Sequence, residues 1–162
     1  MHPNEQLLQQ FYTSFQKLDY EDVKACYHPE IEFRDNAFGD LKGKRVGAMW
    51  HMLFSGVTPD APLQFTFSNI QADEQQGSAS LEARYKFSLT GRQVHNKIQS
   101  TFQFQDGKII RQIDRFDFWR WSRQAFGTTG LLLGWMPWFR HKFQTTANKR
   151  LDQFIARNPD YQ

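Results

Sequence analysis

Two carboxylates stand out for the company they keep. Asp35 lies in the stretch "EFRDNAFGDLKG", Glu32–Gly43, where a short alternating run breaks at Asp35-Asn36 and resumes as a Gly-punctuated loop. Asp114 lies in "DGKIIRQIDRFDFW" and shares alternation parity with Phe116 and Phe118, an unusual setting for a group that is rarely buried without a partner. An Asp at a strand end can cap an Asx-type turn, and an Asp beside Arg111 and Arg115 can form a surface ion pair. If both instead project into an apolar cavity, desolvation and mutual repulsion raise the proton affinity of at least one. Such a pair can divide the roles of proton donor and acceptor, which is general acid/base chemistry.

Other polar residues that could serve such a cavity follow from strand parity. In Gln93–Gln105, Asn96 and Ser100 share a face with Ile98, Phe102 and Phe104, whereas His95, Lys97 and Gln99 occupy the other. His95, next to Asn96, can hydrogen-bond a ligand or reach the pocket through a bulge, and is otherwise a polar residue near a strand start. Tyr85 can bring a hydroxyl to a pocket rim. Trp50 either covers the cavity or packs in the core, and Phe102 and Phe116 are expected to wall it. On the last strand Ile113, Trp119 and Trp121 make the opposite face apolar too, so parity leaves open which face looks inward.

These side chains need elements to hold them. Leu7, Leu8, Phe11, Phe15 and Leu18 recur at helical spacing over Asn4–Lys17. Asp19 caps a second, short helix with the stripe Tyr20, Val23 and Tyr27, ended by Pro29. Ile31 and Phe33 alternate with charges as a short strand, and Val46, Met49, Trp50 and Leu53 mark a third helix closed by Gly56 and Pro59. From Leu63 the period becomes two: Leu63, Phe65 and Phe67, then Ala79 to Leu89, with turn signals at Thr90-Gly91-Arg92 and Asp106-Gly107. The remaining strands are predicted over Gln93–Gln105 and Lys108–Trp121. Helices first and an antiparallel meander second make an α+β fold. A strongly curved, cone-shaped sheet closed by three N-terminal helices would leave a ligand-sized mouth.

The bulk composition narrows the function classes. A chain of 162 residues can bury one core without staples. Its single cysteine, Cys26, rules out an internal disulfide and fits a reducing, cytoplasmic setting. The N-terminal "MHPNEQLLQQFYTSF" lacks the pattern of a secretory leader. A net charge of +3, dispersed along the chain, is no footprint for nucleic acid. His2, His28, His51, His95 and His141 show no ligand spacing, and no Gly-rich phosphate loop occurs, so neither metal nor cofactor is expected. Aromatic residues make up 16% of the chain, enough for a thick core or for the walls of a pocket for an apolar ligand.

The order of elements, with "LDYEDVKACYHPE", "IEFRDNAFG", "LKGKRVGAMW" and "FQFQDGKIIRQIDRFDFWRW", resembles the nuclear-transport-factor-2-like (NTF2-like) superfamily. Within it, the resemblance is to the bacterial group of ketosteroid isomerase and SnoaL-like polyketide cyclases, over Asn4 to about Gly127. It implies Asp35 as a general base that moves a proton beside a ketone. Oxyanion donors are implied at Phe11, which has no hydroxyl but adjoins Tyr12, and at Ser100. The cyclase pattern implies Asp114 as a second acid/base, paired with a histidine where this chain has Ser100. Pairing of two copies through the sheet is implied as well. The resulting expectation is a binder of a small apolar molecule, carbonyl-containing in the isomerase reading, that performs cofactor-free isomerisation, cyclisation, dehydration or epoxide opening. The alternative is a non-catalytic ligand carrier or dimeric interaction module.

We divide the chain into a domain over residues 1–127 and a helical extension over residues 128–162. The apolar stretch "GLLLGWMPWF" and the stripe Phe143, Ala147, Leu151 and Phe154/Ile155 must cover something. The outer sheet face, the cone's mouth and a membrane surface compete. Packing on the same domain or within a dimer is expected, and membrane contact is not.

Overall fold

The structure, a computed structural model, describes all residues from Met1 to Gln162. Three helices come first: α1 (Pro3–Gln16), α2 (Tyr20–Cys26) and α3 (Lys44–Ser55). His2 and Glu5 form a reciprocal cap on α1, with Pro3 in its first turn. The Asp19 side chain accepts the Asp22 N–H at 3.0 Å and starts α2, in agreement with the spacing of the sequence. Between and after these helices run six strands: β1 (Tyr27–Asp35), β2 (Gly39–Lys42), β3 (Leu63–Ala72), β4 (Gln76–Lys86), β5 (Gln93–Gln105) and β6 (Lys108–Arg115).

The strands form one sheet in the order β2-β1-β6-β5-β4-β3. Strands β3 to β6 are the expected antiparallel meander, but β1 pairs in parallel with β6, so the sheet is mixed. Local alternation could not show this pairing, because β1 ends at Asp35 and β6 begins only at Lys108. The inner face of the sheet carries Ile31 and Phe33, Ala79 and Leu81, and Phe102, all buried against Leu8, Phe11, Phe15, Val46 and Met49 of the helices. Tyr27, placed by periodicity on the second helix, instead opens β1.

The final strand is shorter than predicted. β6 stops at Arg115, and Asp117 accepts the Arg120 N–H at 3.0 Å to begin helix α4 (Phe118–Phe126). Phe118, Trp121, Ser122 and Ala125 are all buried, a helical spacing inside a run that also reads as alternation. Both "faces" of that run looked apolar because it is not a strand.

Helices α5 (Thr128–Leu133) and α6 (Pro137–Ala156) follow. Phe143 packs among Phe87, Phe118, Trp121 and Phe126 in a second aromatic cluster, while Ala147 and Leu151 join the main core. Arg45 of α3 reaches Asp152 at 2.6 Å and Asn148 at 3.0 Å. Near the C-terminus the Tyr161 hydroxyl meets His51 Nδ1 at 2.9 Å and accepts from Lys24 Nζ at 3.1 Å. The inner face of the extension is thus occupied by its own chain.

Helix α5 crosses α4 with no room for a side chain, since a Cβ at Gly130 would collide with the Ser122 carbonyl. Gly130→Ala therefore forces the two helices apart and should cost about 1–3 kcal/mol, the usual range for overpacking. A lower urea midpoint at unchanged m-value is the expected readout; an unchanged midpoint would mean that the α4–α5 contact is looser than described.

Candidate functional site

The sheet brings the two singled-out carboxylates together. Arg34 of β1 pairs with Ile113 of β6, so one step further Asp35 and Asp114 lie side by side on the inner face. The same transverse row continues through Gly39 on one flank and through Ser100 and Ala79 on the other. Glycine, serine and alanine leave this row thin where neighbouring rows carry Phe33, Phe102 and Leu81.

Asp114 is buried with 4% exposure and accepts from Gln112 Nε2 at 3.0 Å. Gln112 Oε1 in turn accepts from the Tyr27 hydroxyl at 2.6 Å, and that hydroxyl accepts from Trp50 Nε1 at 2.9 Å. A buried relay therefore runs from α3 through β1 to the carboxylate and orients it. Burial pushes Asp114 up to about 6, against smaller opposing pulls from Gln112 and the nearby Ser100 hydroxyl.

Asp35 is held differently. Its Oδ1 accepts the N–H groups of Ala37 at 2.9 Å and Phe38 at 2.6 Å, the Asx-type turn its position foretold. Burial nonetheless pushes it up to about 7, offset by the turn's N–H groups and reinforced by the charge of Asp114. The turn is fixed from outside by α6: Gln144 Nε2 donates to the Asn36 carbonyl at 3.0 Å and Asn148 Nδ2 to that of Phe38 at 2.7 Å. Turn geometry and a raised proton affinity coexist in one residue.

Two hydroxyls complete the cluster. Tyr12 is fully buried, and its ring lies against Phe67 and Phe102. Its pKa is raised well above the tyrosine range by burial, and further by the charge of Asp114. Ser100 faces Asp114 across the β5–β6 ladder. Neither the Tyr12 hydroxyl nor Ser100 Oγ has a hydrogen-bond partner, although both are buried. Leaving a polar group in that condition costs about 1–3 kcal/mol. Both hydroxyls stand close to the buried Asp114 carboxyl, whose charge raises the pKa of Tyr12 and whose own pKa Ser100 lowers.

The other residues singled out by sequence are divided. Asn96 is buried on the same inner face. Tyr85 stands further along β4, where its hydroxyl accepts from Trp121 Nε1 at 2.7 Å and burial raises its pKa to about 12. Phe102 is a core side chain between Phe11, Tyr12 and Phe104. Trp50 packs on Phe15, Phe33 and Phe54 and acts on the site only through the relay. Phe116 lies beyond the end of β6, against Phe118 and Trp121, and its carbonyl accepts from Asn36. His95 is on the opposite face, 2.6 Å from Glu82, and no bulge turns it inward.

Gln112 and Tyr27 are site residues that residue patterns did not single out. Gln112 was detectable, since it shares parity with Asp114 on β6; Tyr27 was masked by its fit to the helical stripe. The Cys26 thiol is buried and pushed up to about 11 by that burial, far from a reactive thiolate. No three His, Cys, Asp or Glu side chains converge to hold a metal ion. A cleft of about 500 Å³, lined by Arg34, Asp35, Asn36, Gly39, Asp40, Pro137, Arg140, His141 and Gln144, reaches the Asp35 turn from outside. A second, of about 640 Å³, lies near Asp73, Thr101 and Arg111, and Asp114 lines neither.

Comparison with known proteins places the chain in a family. No curated protein matches the chain in sequence. An M. tuberculosis LEH-like epoxide hydrolase superposes with a TM-score of 0.61 at 18% identity, covering 82% of this chain and 91% of its own. An NTF2-like protein of unknown function from Burkholderia pseudomallei gives 0.64 at 16% identity, with coverages of 78% and 99%. TsrD from Streptomyces laurentii also gives 0.64, at 19% identity, with coverages of 77% and 96%. Residues 8–112, which include most of α1, the Asp35 turn and the whole of β5, match the SnoaL-like domain, and the chain belongs to that family and shares its fold with the NTF2-like protein.

Proposed function

We propose that this protein is a cofactor-free acid/base enzyme that moves a proton at the carbon beside a carbonyl of a small apolar molecule. The observation that carries the reading is the row of Asp35, Asp114 and Ser100, with the unpartnered Tyr12 hydroxyl next to it. A carbonyl oxygen seated against Tyr12, Ser100 and a protonated Asp114 receives hydrogen bonds that strengthen as it becomes an enolate. Asp35, charged, takes the proton from the adjacent carbon and returns it to another, giving isomerisation. The resemblance of "FRDNAFG" to the ketosteroid isomerase pattern supports the same base.

Both carboxyls are held above their ordinary value, by burial first and at Asp35 by the charge of Asp114 as well. A pair that shares one proton titrates as a unit, and the proposed division needs that proton on Asp114 when substrate is bound. A hydrogen bond from the Asp114 carboxyl to an incipient oxyanion favours that state. Asp35 is thereby left charged when substrate is present. No Lys, Arg or His lies on the row, so the substrate portion bound there is neutral.

A second reading, a non-catalytic carrier, is favoured by the extension, whose Gln144 and Asn148 tie down the Asp35 turn and restrict access. Hydrogen–deuterium exchange beside the carbonyl of 2-tetralone, followed by NMR in D₂O, separates the two. The enzyme reading expects catalysed exchange that falls about 10²–10⁴-fold in Asp35→Asn and substantially in Tyr12→Phe. Exchange equal in wild type and Asp35→Asn would remove Asp35 from the mechanism. The rate should peak between the two carboxyl pKa values, because both the doubly protonated and the doubly charged pair are inactive.

Burial of the pair is testable without a substrate. Both carboxyls bind protons more tightly folded than at their ordinary value of 3.8, so the folded state holds more protons than the unfolded one from about pH 4 to 7. Their contribution is fully present below pH 4 and is lost as pH rises to about 7. Asp114→Asn should flatten that decline in urea-unfolding free energy; the same slope in the variant would show Asp114 to be solvated.

A further inference from the structure

The segment from Phe118 to Leu151 carries Arg120, Arg123, Arg140, Lys142, Lys149 and Arg150 and not one Asp or Glu. None of these cations takes part in the ion pairs of the chain. Within it, the end of α5 and the start of α6 present Leu131, Leu132, Trp135 and Trp138 at exposures of 48%, 62%, 67% and 57%. Trp119 of α4 joins them, its indole N–H donating to the Leu131 carbonyl at 3.1 Å, and Trp135 donates to the Leu132 carbonyl at 2.9 Å. Cations sit on the rim: the Arg123 guanidinium lies over the Trp119 ring at 4.1 Å and Lys142 Nζ over Trp138 at 5.3 Å. Large apolar side chains clustered on a surface mark a contact with something else.

We propose that the Leu131–Trp138 knob docks on the surface of an anionic phospholipid bilayer. Sequence alone favours a second copy as the cover, but charge argues against it. A twofold contact sets each patch against itself, bringing cations onto cations with no acidic residue in the segment to pair them. An anionic leaflet supplies the missing charge, and tryptophans with leucines match the boundary between headgroups and acyl chains. No helix is long and apolar enough to cross a membrane, so the contact is with one face of the bilayer. The inference is independent of the chemistry at Asp35 and Asp114.

The test is flotation of the full chain with vesicles of phosphatidylcholine alone, or with about one third phosphatidylglycerol, in low and high salt. Wild type should float with the anionic vesicles, weakly or not at all with the neutral ones, and less at high salt. Leu132→Ser combined with Trp135→Ser, and separately Arg140→Gln combined with Lys142→Gln, should each reduce the bound fraction at least about tenfold, since each cation contributes roughly a factor of five. All four positions are exposed, so circular dichroism should show both variants folded. Absence of wild-type flotation on anionic vesicles, or retention by the Leu132/Trp135 variant, overturns the proposal. So does a lipid-free dimer that the same variant dissociates, because the patch then belongs to a second copy.

Discussion

The parallel pairing of β1 with β6 is the constraint on which the site depends. These strands lie some 80 residues apart in the chain, and their register places Asp35 beside Asp114 on the inner face. Both carboxyls lose water in that position, and the charge of Asp114 adds to the effect at Asp35, so both hold protons close to neutral pH rather than far below it. A shift of one residue in either strand would send one of them to the polar outer face and dissolve the pair. Helices α1 and α3 pack aromatic residues over the inner face, and α1 also delivers Tyr12.

Order is imposed on the pair by unlike means. Asp114 is oriented by the chain of Trp50, Tyr27 and Gln112, three side chains from three elements, all buried. Asp35 is oriented by backbone N–H groups of its own turn, and that turn is braced by α6. The first arrangement is deep and insulated, the second shallow and coupled to the extension. Tyr12 and Ser100 break the rule that buried polar groups are paired, and such exceptions concentrate where a protein meets its ligand.

The extension joins two surfaces of different character. Its inner side braces the Asp35 turn and fills the aromatic cluster around Trp121 and Phe143. Its outer side gathers exposed tryptophan, leucine and unpaired cations. Both follow from the change at Asp117, where an N-cap converts a run that alternates like a strand into α4 and turns the chain back over the domain.

Much of the scaffold was legible from residues alone. Helical spacing located α1 and α3, Asp19 announced its cap, and alternation placed β3 to β5 and put Ser100 and Asn96 on one face and His95 on the other. These are local properties: periodicity and capping depend on neighbours within a few residues, which the sequence displays directly. The adjacency of Asp35 to Asp114, the β1–β6 pairing and the relay through Tyr27 and Gln112 join residues some 80 positions apart. The arrival of Tyr12 beside Ser100 is equally non-local. Such contacts are selected by how whole faces pack together, and the identity of any one residue carries too little information to choose among them. The helical turn after Asp117 lay between these cases, because a short apolar run satisfies both periods until burial decides which one it follows.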